Sequence, residues 1–266
     1  MQEMMLARAK ALLQSGDVQR VLGWQTGEFV YDVTPAVFET AEELDAKFVY
    51  NDFCGSNLSK YLVKESRKEG RVLVFLKPCD TYSFNQLIKE HRIARENIYV
   101  IGVPCAGKTD GETLKALGLK GILGVKDAGD SFTVETLYGE KIVSKQEALP
   151  ERCRSCKSHK HMVYDELLGE EGEVLDSHRF DMVEKIESMS ADERFAFWQG
   201  ELSRCIRCNA CRNVCPACTC EKCVFDNENS GIAQKAAADS FEESMFHIIR
   251  AFHVAGRCTD CGECSR

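Results

Sequence analysis

Ten of the fifteen cysteines in this 266-residue chain lie within its last 62 residues. Four of them form the run Cys205-x2-Cys208-x2-Cys211-x3-Cys215, and a proline follows. This C-x2-C-x2-C-x3-C-P spacing is the one with which thiolates hold a cubane [4Fe–4S] cluster, and the fourth cysteine usually reaches a second cluster. The pattern therefore predicts electron transfer through iron–sulfur clusters.

A second run of the same kind stands near the end of the sequence, at Cys258, Cys261 and Cys264. A complete copy would place a fourth cysteine two residues beyond Arg266. We therefore expect either that the sequence is a shortened form of a longer chain or that the last cluster is incomplete. Three extra thiols that could substitute as ligands are Cys218, Cys220 and Cys223.

Disulfides and zinc are the other chemistries that use many cysteines. A disulfide framework needs an oxidising compartment, and the N-terminus does not resemble a signal peptide, because Glu3 comes early and no apolar core follows. Structural zinc favours CxxC pairs separated by a knuckle or a histidine pair. Cysteine triplets at x2-x2 spacing followed by x3-C-P suit a cubane iron–sulfur cluster better than a tetrahedral zinc site.

The composition and charge of the chain exclude several classes of protein. The formal net charge is -8 and no basic, aromatic-rich stripe occurs, so we expect no nucleic-acid partner. No apolar run approaches the roughly 20 residues that span a membrane. No Ser/His/Asp set or pair of carboxylates indicates hydrolysis, and we assign no catalytic residue. We expect a reduced, anaerobic, cytoplasmic protein.

The first half of the chain carries a β-α-β pattern. The apolar run Val72–Leu76 predicts a buried parallel strand, Asp80 or Thr81 is expected to cap a helix, and residues 98–103 predict the next strand. The two strands should be parallel neighbours. Residues 47–50 predict a weaker strand upstream.

Three cysteines each follow one of these predicted strands: Cys54, Cys79 and Cys105. Open α/β sheets bind ligands beyond the carboxyl ends of their strands. Each cysteine alone would most simply be a buried apolar residue, but together they indicate a site at one edge of the sheet.

A CxxC pair at Cys153 and Cys156 lies in a basic loop. Thioredoxin-like chemistry would need the pair at a helix start after an early strand, which is not its position here. As cluster ligands, the two thiols would join Cys79 and Cys105 to make four. The basic residues would offset cluster charge or bind phosphates, unless the loop is merely a solvated surface; they are Arg152, Arg154, Lys157 and Lys160.

The predicted architecture is an α/β domain with a mixed or parallel sheet and flanking helices, followed by a smaller, mainly helical ferredoxin-like domain. We divide the chain into residues 1–170, a helical linker at 171–202, and 203–266. Residues 131–137 and 141–144 predict a β-hairpin. A helix capped by Ser240 with Glu243 is expected to place its apolar face in the core. That face consists of Phe241, Met245, Ile248, Ile249 and Phe252.

Several short motifs together resemble a known family. They are Gly55-Ser56-Asn57-Leu58, Lys77-Pro78-Cys79-Asp80, Val103-Pro104-Cys105-Ala106-Gly107 and the later CxxC. Over roughly residues 45–170 the chain is similar to the coenzyme F420 hydrogenase/dehydrogenase beta-subunit family. The resemblance implies one [4Fe–4S] cluster beside an FAD. By residue-to-residue match it implies that the cluster ligands are Cys79, Cys105, Cys153 and Cys156.

The sequence departs from the family pattern at several points. Asp80 stands where glutamine is usual, Ala106 stands where histidine is usual, and the ferredoxin motifs come last rather than first. No G-x-G-x-x-G fingerprint marks an FAD site. If flavin binds, the best phosphate cradle is the loop 55–57 at a helix N-terminus. The expected flavin-binding residues are Gly55, Ser56, Asn57, Lys60, Lys77 and Lys108.

We predict an electron-transfer subunit of a flavin-dependent oxidoreductase complex. Electrons would pass between a hydride donor or acceptor, either a deazaflavin or a nicotinamide, and a partner subunit, through FAD and two to three [4Fe–4S] clusters. The partner would be of the hydrogenase, formate dehydrogenase or heterodisulfide-reductase type. One alternative is a flavin-free ferredoxin-like adaptor that only relays electrons between proteins. A third hypothesis makes the central CxxC a thiol–disulfide catalyst.

Overall fold

The computed structural model of the chain describes residues 1–230, 237 and 240–265. Its strands are β1 (Arg20–Thr26), β2 (Val33–Phe38), β3 (Val72–Leu76), β4 (Ile98–Gly102), β5 (Ile122–Asp127), β6 (Ser131–Thr136), β7 (Gly139–Ser144) and β8 (Glu166–Leu167). Its α-helices are α1 (Gln2–Gln14), α2 (Ala41–Lys47), α3 (Leu62–Glu65), α4 (Pro78–Lys89), α5 (Gly111–Ala116), α6 (Lys145–Ala148), α7 (Glu151–Arg154), α8 (Asp181–Glu187), α9 (Ala191–Leu202), α10 (Ala210–Val214) and α11 (Phe241–Val254). Short 3-10 turns cover Leu58–Tyr61, Arg95–Asn97, Val224–Asp226, Glu228–Ser230 and Glu263–Ser265.

The larger sheet has the strand order β2-β1-β3-β4-β8. Its β1–β2 pair is antiparallel, whereas β1–β3, β3–β4 and β4–β8 are parallel. All five side chains of β3 are buried, as expected for a parallel strand covered on both faces. Helices α1 and α4 contribute to the same core through residues such as Met5 and Phe84.

The predicted β-α-β unit is confirmed. Strands β3 and β4 are parallel neighbours, and α4 connects them. The predicted cap was wrong, because α4 begins at Pro78, whose fixed φ suits the first helical position. Asp80 therefore lies inside the first turn, where its carboxylate accepts a hydrogen bond from the backbone N–H of Lys77.

The predicted strand at residues 47–50 was wrong. Helix α2 extends to Lys47, and Phe48 makes only an isolated bridge with Gln25. Cys54 consequently follows no strand. Its thiol is buried and lies against the carbonyl oxygen of Val49 and the side chain of Asn51.

The hairpin prediction is confirmed by β6 and β7, and β5, which was not predicted, completes an antiparallel sheet of three strands. The short parallel strand β8 lies just before residue 170, the predicted end of the first domain. Two acidic side chains at this strand are paired, because Glu166 lies 2.8 Å from Arg8 and Asp165 lies 2.6 Å from Arg95. These ion pairs hold the strand against the larger sheet.

The rest of the described chain is a smaller helical part, so the α/β-plus-helical fold class is confirmed. Helix α11 begins after Ser240 as predicted, but its apolar face is not core: Phe241, Ile248 and Phe252 are exposed. The buried residues of this helix are Glu243 and Phe246. No helix in the described ranges has both the length and the apolar character that crossing a membrane requires.

Candidate iron–sulfur centre

Two of the predicted ligands leave the larger sheet at the same edge. Leu76 and Gly102, the last residues of β3 and β4, face each other in register. Cys79 lies in the first turn of α4, directly after β3, and Cys105 lies three residues beyond β4. Parallel neighbours end on the same side of a sheet, which is where open α/β sheets bind ligands. The sheet therefore brings these two thiols together.

The CxxC loop returns to that edge through polar contacts. Nε2 of His161 lies 3.2 Å from the carbonyl oxygens of both Leu76 and Val103. The backbone N–H of Met162 donates to Oγ1 of Thr81 over 3.0 Å. His161 is thus a buried anchor between the loop and the strand ends.

One cavity of about 60 Å³ collects the candidate thiols. It is lined by Cys79, Cys105, Cys153 and Cys156 and, in addition, by Cys261 of the second ferredoxin-type run. The fold therefore places at one site four cysteines that are spread over 78 residues of sequence, from 79 to 156. We call this space the first cavity. Cys54 does not line it.

Four cationic side chains line the first cavity with the thiols: Lys77, Lys108, Arg152 and Lys157. Arg154 and Lys160, the other two basic residues of the predicted loop, are exposed. Lys77 is buried and its Nζ lies 2.8 Å from Asp80. A thiolate-ligated cluster is negatively charged, so cations at its wall stabilise it.

Arg152 carries the clearest sign of an anionic occupant. Its Nη1 donates to Oε1 of Glu263 over 2.7 Å. Its Nε and Nη2 are buried and make no hydrogen bond within the described residues. Buried guanidinium N–H groups without acceptors are costly. The sulfur atoms of a cluster in the first cavity would supply such acceptors, so the residues present fit the group.

Burial also sets the protonation of the free thiols. Burial raises the pKa of Cys79 well above its usual range, and the neighbouring Asp80 carboxylate adds to the rise. Burial likewise raises the pKa values of Cys153 and Cys156. Iron binds the thiolate form, so cluster binding must release protons. The cations that line the cavity favour the thiolates that result.

The two ferredoxin-type runs share one backbone conformation. In the first, Arg207 and Asn209 flank Cys208 and have φ angles of 56° and 61°. In the second, Asp260 and Gly262 flank Cys261 and have φ angles of 58° and 68°. Positive φ is unfavourable for residues other than glycine, and alternating backbone of this kind turns N–H groups inward into anion-binding nests.

The same nests aim N–H groups at sulfur. The backbone N–H of Arg207 lies 3.3 Å from Sγ of Cys205. The N–H of Asp260 lies 3.4 Å from Sγ of Cys258. N–H···S bonds of this type tune iron–sulfur clusters, so both runs have the local geometry that a cluster loop requires.

The two runs also lie side by side. Helix α10, inside the first run, packs against the turn Glu263–Ser265 of the second. The pKa of Cys264 is raised by burial, by Cys258 of its own run and by Cys211 of the other run. Cys215, which ends the first run, hydrogen-bonds Cys218. The thiols of the two runs thus face a common region.

The second run is docked on the first cavity. Nζ of Lys157 donates to the carbonyl oxygen of Thr259 over 2.7 Å, and Oγ1 of Thr259 lies 2.8 Å from Oγ of Ser83. Gly262 lies so close to Arg152 that an added Cβ would stand 2.5 Å from Cβ of Arg152. Glycine is therefore required at this contact for its close approach as well as its positive φ.

The expected flavin-binding residues do not form one cradle. Gly55, Lys77 and Lys108 line the first cavity, and Lys60 lines a second, larger cavity. Nζ of Lys60 donates to backbone carbonyl oxygens, and that of Lys108 donates to Asn51. The two other expected residues, Ser56 and Asn57, are buried.

Residues 58–61 after this loop form a 3-10 turn rather than an α-helix. Asn57 caps this turn by accepting from the N–H of Ser59, so its side-chain oxygen is already engaged. The described side chains therefore do not present an open phosphate cradle at residues 55–57.

Sequence reasoning missed a polar cluster beside the first run. The ligand atoms of Cys205, Glu243 and His247 lie within 4.8 Å of one another. Arg207 lies 2.9 Å from Glu243, and both side chains are buried. Glu243 was predicted only as a helix cap; its distance from Arg207 along the chain concealed the ion pair.

Comparison with known proteins found two similar proteins that are named as redox subunits. No family model matches it. It is 24% identical over 313 aligned residues to a protein of Methanocaldococcus jannaschii named F420-dependent formate dehydrogenase subunit beta, an alignment that covers 96% of this chain and 82% of that one. A Methanococcus maripaludis protein named F420-dependent formate dehydrogenase 1 subunit beta is 23% identical over 310 residues, with 92% and 78% covered.

The chain is thus similar, over nearly its whole length, to beta subunits of F420-dependent formate dehydrogenases. The resemblance first noted in short motifs thus extends over nearly the whole chain. Both relatives are named as subunits of formate dehydrogenases. A solved structure of the F420-reducing [NiFe] hydrogenase complex from Methanosarcina barkeri superimposes with a TM-score of 0.47 and 15% identity, over 57% of this chain and 58% of that chain.

Proposed function

We propose that this chain passes electrons between a hydride donor or acceptor and a partner subunit, through FAD and [4Fe–4S] clusters. Hydride carriers exchange electron pairs, clusters exchange single electrons, and a flavin converts one into the other. The protein's share is to hold, orient and tune these groups. The partner is another subunit of a redox complex, of the hydrogenase, formate dehydrogenase or heterodisulfide-reductase type.

The observation that carries this proposal is the lining of the first cavity. The thiols of Cys79, Cys105, Cys153 and Cys156 surround it, and Cys261 reaches it from the second ferredoxin-type run. We assign the four to one cluster. We assign Cys261 to a neighbouring cluster, with ligands drawn from Cys205, Cys208, Cys211, Cys215, Cys258 and Cys264.

The surrounding side chains perform two tasks in this scheme. Lys77, Lys108 and Lys157 balance the charge of the thiolates, and Arg152 donates toward the cavity while its other N–H holds Glu263. The docking of the second run keeps the two cluster sites adjacent, and electron transfer is faster over shorter distances. We also retain the division into residues 1–170, 171–202 and 203–266, and the cytoplasmic location, as proposals; reduced thiols suit such a compartment.

The flavin part of the proposal rests on the family and not on the geometry of residues 55–57. Three of the expected residues, Gly55, Lys77 and Lys108, line the first cavity and would lie beside the cluster. The alternative function, a flavin-free adaptor that relays electrons between proteins, is favoured by the engaged state of the Asn57 and Lys60 side chains.

The deciding experiment is anaerobic purification of the full chain with a visible spectrum, iron and sulfide analysis, and flavin extraction. The proposal predicts about one FAD and about eight to twelve irons per chain, at four irons per cubane. Iron without flavin would favour the adaptor. Dithiol exchange that depends on Cys153, with iron content unchanged in Cys153→Ser, would instead favour a thiol–disulfide catalyst.

A further inference from the structure

A second cavity, of about 820 Å³, lies between the α/β part and the cysteine-rich C-terminal part. Its walls include Leu22 and Val37 of the larger sheet and Arg250 of α11. Three cysteines outside both ferredoxin-type runs line it, and they are Cys218, Cys220 and Cys223. Thiols from a C-x-C-x2-C segment thus converge on a space that the proposed function leaves unused.

Cationic groups face these thiols from three elements. Nη1 of Arg250, on α11, donates to Sγ of Cys218 over 3.1 Å. Arg212, on α10, lines the cavity with Cys223, and its Nη1 donates to Oδ1 of Asp226 over 2.7 Å. Lys60, from the α/β part, also lines the cavity. Cations close to cysteines stabilise the thiolate, which is the form that binds metal.

The cysteine segment is held in place and presents a buried hydroxyl group. Phe225, just beyond Cys223, packs against Phe246 with ring centroids 4.6 Å apart and the rings tilted by 59°. Oγ1 of Thr219 lines the cavity, is buried and makes no hydrogen bond within the described residues. Leaving such a hydroxyl without a partner is unfavourable. The sulfide of a cluster in this cavity would accept its hydrogen bond.

The geometry points to a further [4Fe–4S] cluster in the second cavity, held by Cys218, Cys220 and Cys223. A single metal ion fits less well. Among the described residues, the one group of three donor atoms within 4.8 Å of one another is at Cys205, Glu243 and His247. The three cavity thiols are therefore spaced more widely than ligands that share one ion, and a cube needs that wider spacing because each thiolate binds a different iron.

Three thiolates leave one iron of the cube without a cysteine. His253 lines the same cavity, and its ring stands 6.0 Å from that of Phe225 beside the cysteine segment. Imidazole replaces thiolate on iron in some iron–sulfur centres. We assign His253 to the fourth iron. This cluster is additional to those of the proposed function, and it does not depend on flavin.

The test compares anaerobically purified full-length wild type with Cys220→Ser and with Cys220→Ser/Cys223→Ser. Cys220 is exposed, so its substitution leaves packing intact. The double variant should lose about four irons and about four sulfides per chain. The reduced double variant should lack one EPR signal that reduced wild type shows, and the other signals should remain. Cys54→Ser, a buried thiol outside both cavities, is the matched control and should keep all iron. Cys156→Ser should remove a different signal, which separates this proposal from the proposed function.

Three outcomes would overturn the assignment. Unchanged iron, sulfide and EPR signals in the double variant would show that these thiols hold no cluster. Loss of the ferredoxin-type signals in Cys220→Ser would place that thiol among the ligands of the two runs. Unchanged iron with loss of bound flavin would assign the cavity to a dinucleotide, whose size and charge it also suits.

Discussion

Nη1 of Arg152 lies 2.7 Å from Oε1 of Glu263, and both side chains are buried. Arg152 precedes Cys153 of the CxxC loop, and Glu263 precedes Cys264 of the second ferredoxin-type run. One ion pair therefore joins the two cysteine-bearing segments at the first cavity. Its partners are 111 residues apart, so it is a contact of the folded chain alone.

Breaking this pair from one side should be more damaging than removing both partners. Glu263→Leu leaves the Arg152 charge buried and unpaired, which costs about 3–5 kcal/mol, whereas Arg152→Leu/Glu263→Leu removes both charges. The measurement is urea unfolding of wild type, of Arg152→Leu, of Glu263→Leu and of the double variant. A double variant that is destabilised by the sum of the two single-variant losses would show that the pair is not coupled in the folded state.

Each thiol of the first cavity should be needed for the same four irons. Cys105→Ser and Cys156→Ser should each lose about four irons per chain, and Cys105→Ser/Cys156→Ser should lose no more, because the two thiols serve one cluster. Iron and sulfide analysis measures this. Cys54→Ser is the control. Additive losses in the double variant would contradict a shared cluster.

The buried Lys77–Asp80 pair should tune the potential of that cluster. Both residues line the first cavity. Asp80→Asn leaves a net positive charge there and should raise the reduction potential by tens of millivolts, and Lys77→Met should lower it, because cluster potentials follow the nearby charge. Potentiometric EPR titration measures both shifts. Asp17→Asn, at an exposed residue far from Lys77 in the sequence, is the control and should not shift the potential. Potential shifts of the same sign in Asp80→Asn and Lys77→Met would refute the charge argument.

The ion pair of Glu90 and Arg257 should make docking of the C-terminal part depend on pH. A hydrogen bond from Arg257 lowers the pKa of Glu90 below its ordinary 4.5. A lowered carboxyl pKa gives stability that is complete above the unfolded value and lost as the pH falls through the folded one. Glu90→Gln should lower the unfolding midpoint by roughly 1–3 °C at pH 7, as expected for a partly exposed pair.

That difference between Glu90→Gln and wild type should shrink as the pH falls below about 4.5. Calorimetry at pH 7 and pH 4 measures it. Glu96→Gln, on an exposed carboxyl of a neighbouring turn, is the control and should match wild type at both values. A difference that persists at pH 4 would mean that Glu90 acts through packing instead of charge.

The spacing of cysteines predicted four thiols that line the first cavity, and the apolar run Val72–Leu76 predicted the buried strand β3. Both signals are local. A parallel strand covered on both faces is continuously apolar, and the cysteines that bind the iron atoms of a cubane cluster follow a fixed spacing in the sequence. Convergence of Cys79 and Cys105 followed from the parallel pairing of β3 and β4. The same reasoning failed for Cys54, because apolar residues 48–50 lie beyond α2 and pair with the sheet only at Phe48.

What the sequence could not predict depends on contacts across the chain. The apolar face of α11 was expected in the core, yet the helix turns Phe246 inward, where Phe225 and Arg207 contact it. Neither contact has a local signature. The same holds for Gly262 against Arg152, and for the docking of the second run on the first cavity, which required the folded arrangement of both parts.

EPR of the fully reduced, anaerobically purified chain tests the central claim most directly, because that claim is a cluster at Cys79, Cys105, Cys153 and Cys156 beside the cluster of Cys261. The account predicts a wild-type spectrum broadened by interaction between neighbouring spins. In Cys156→Ala one signal should be lost and the rest should sharpen. An identical spectrum and iron content in wild type and Cys156→Ala would contradict the account.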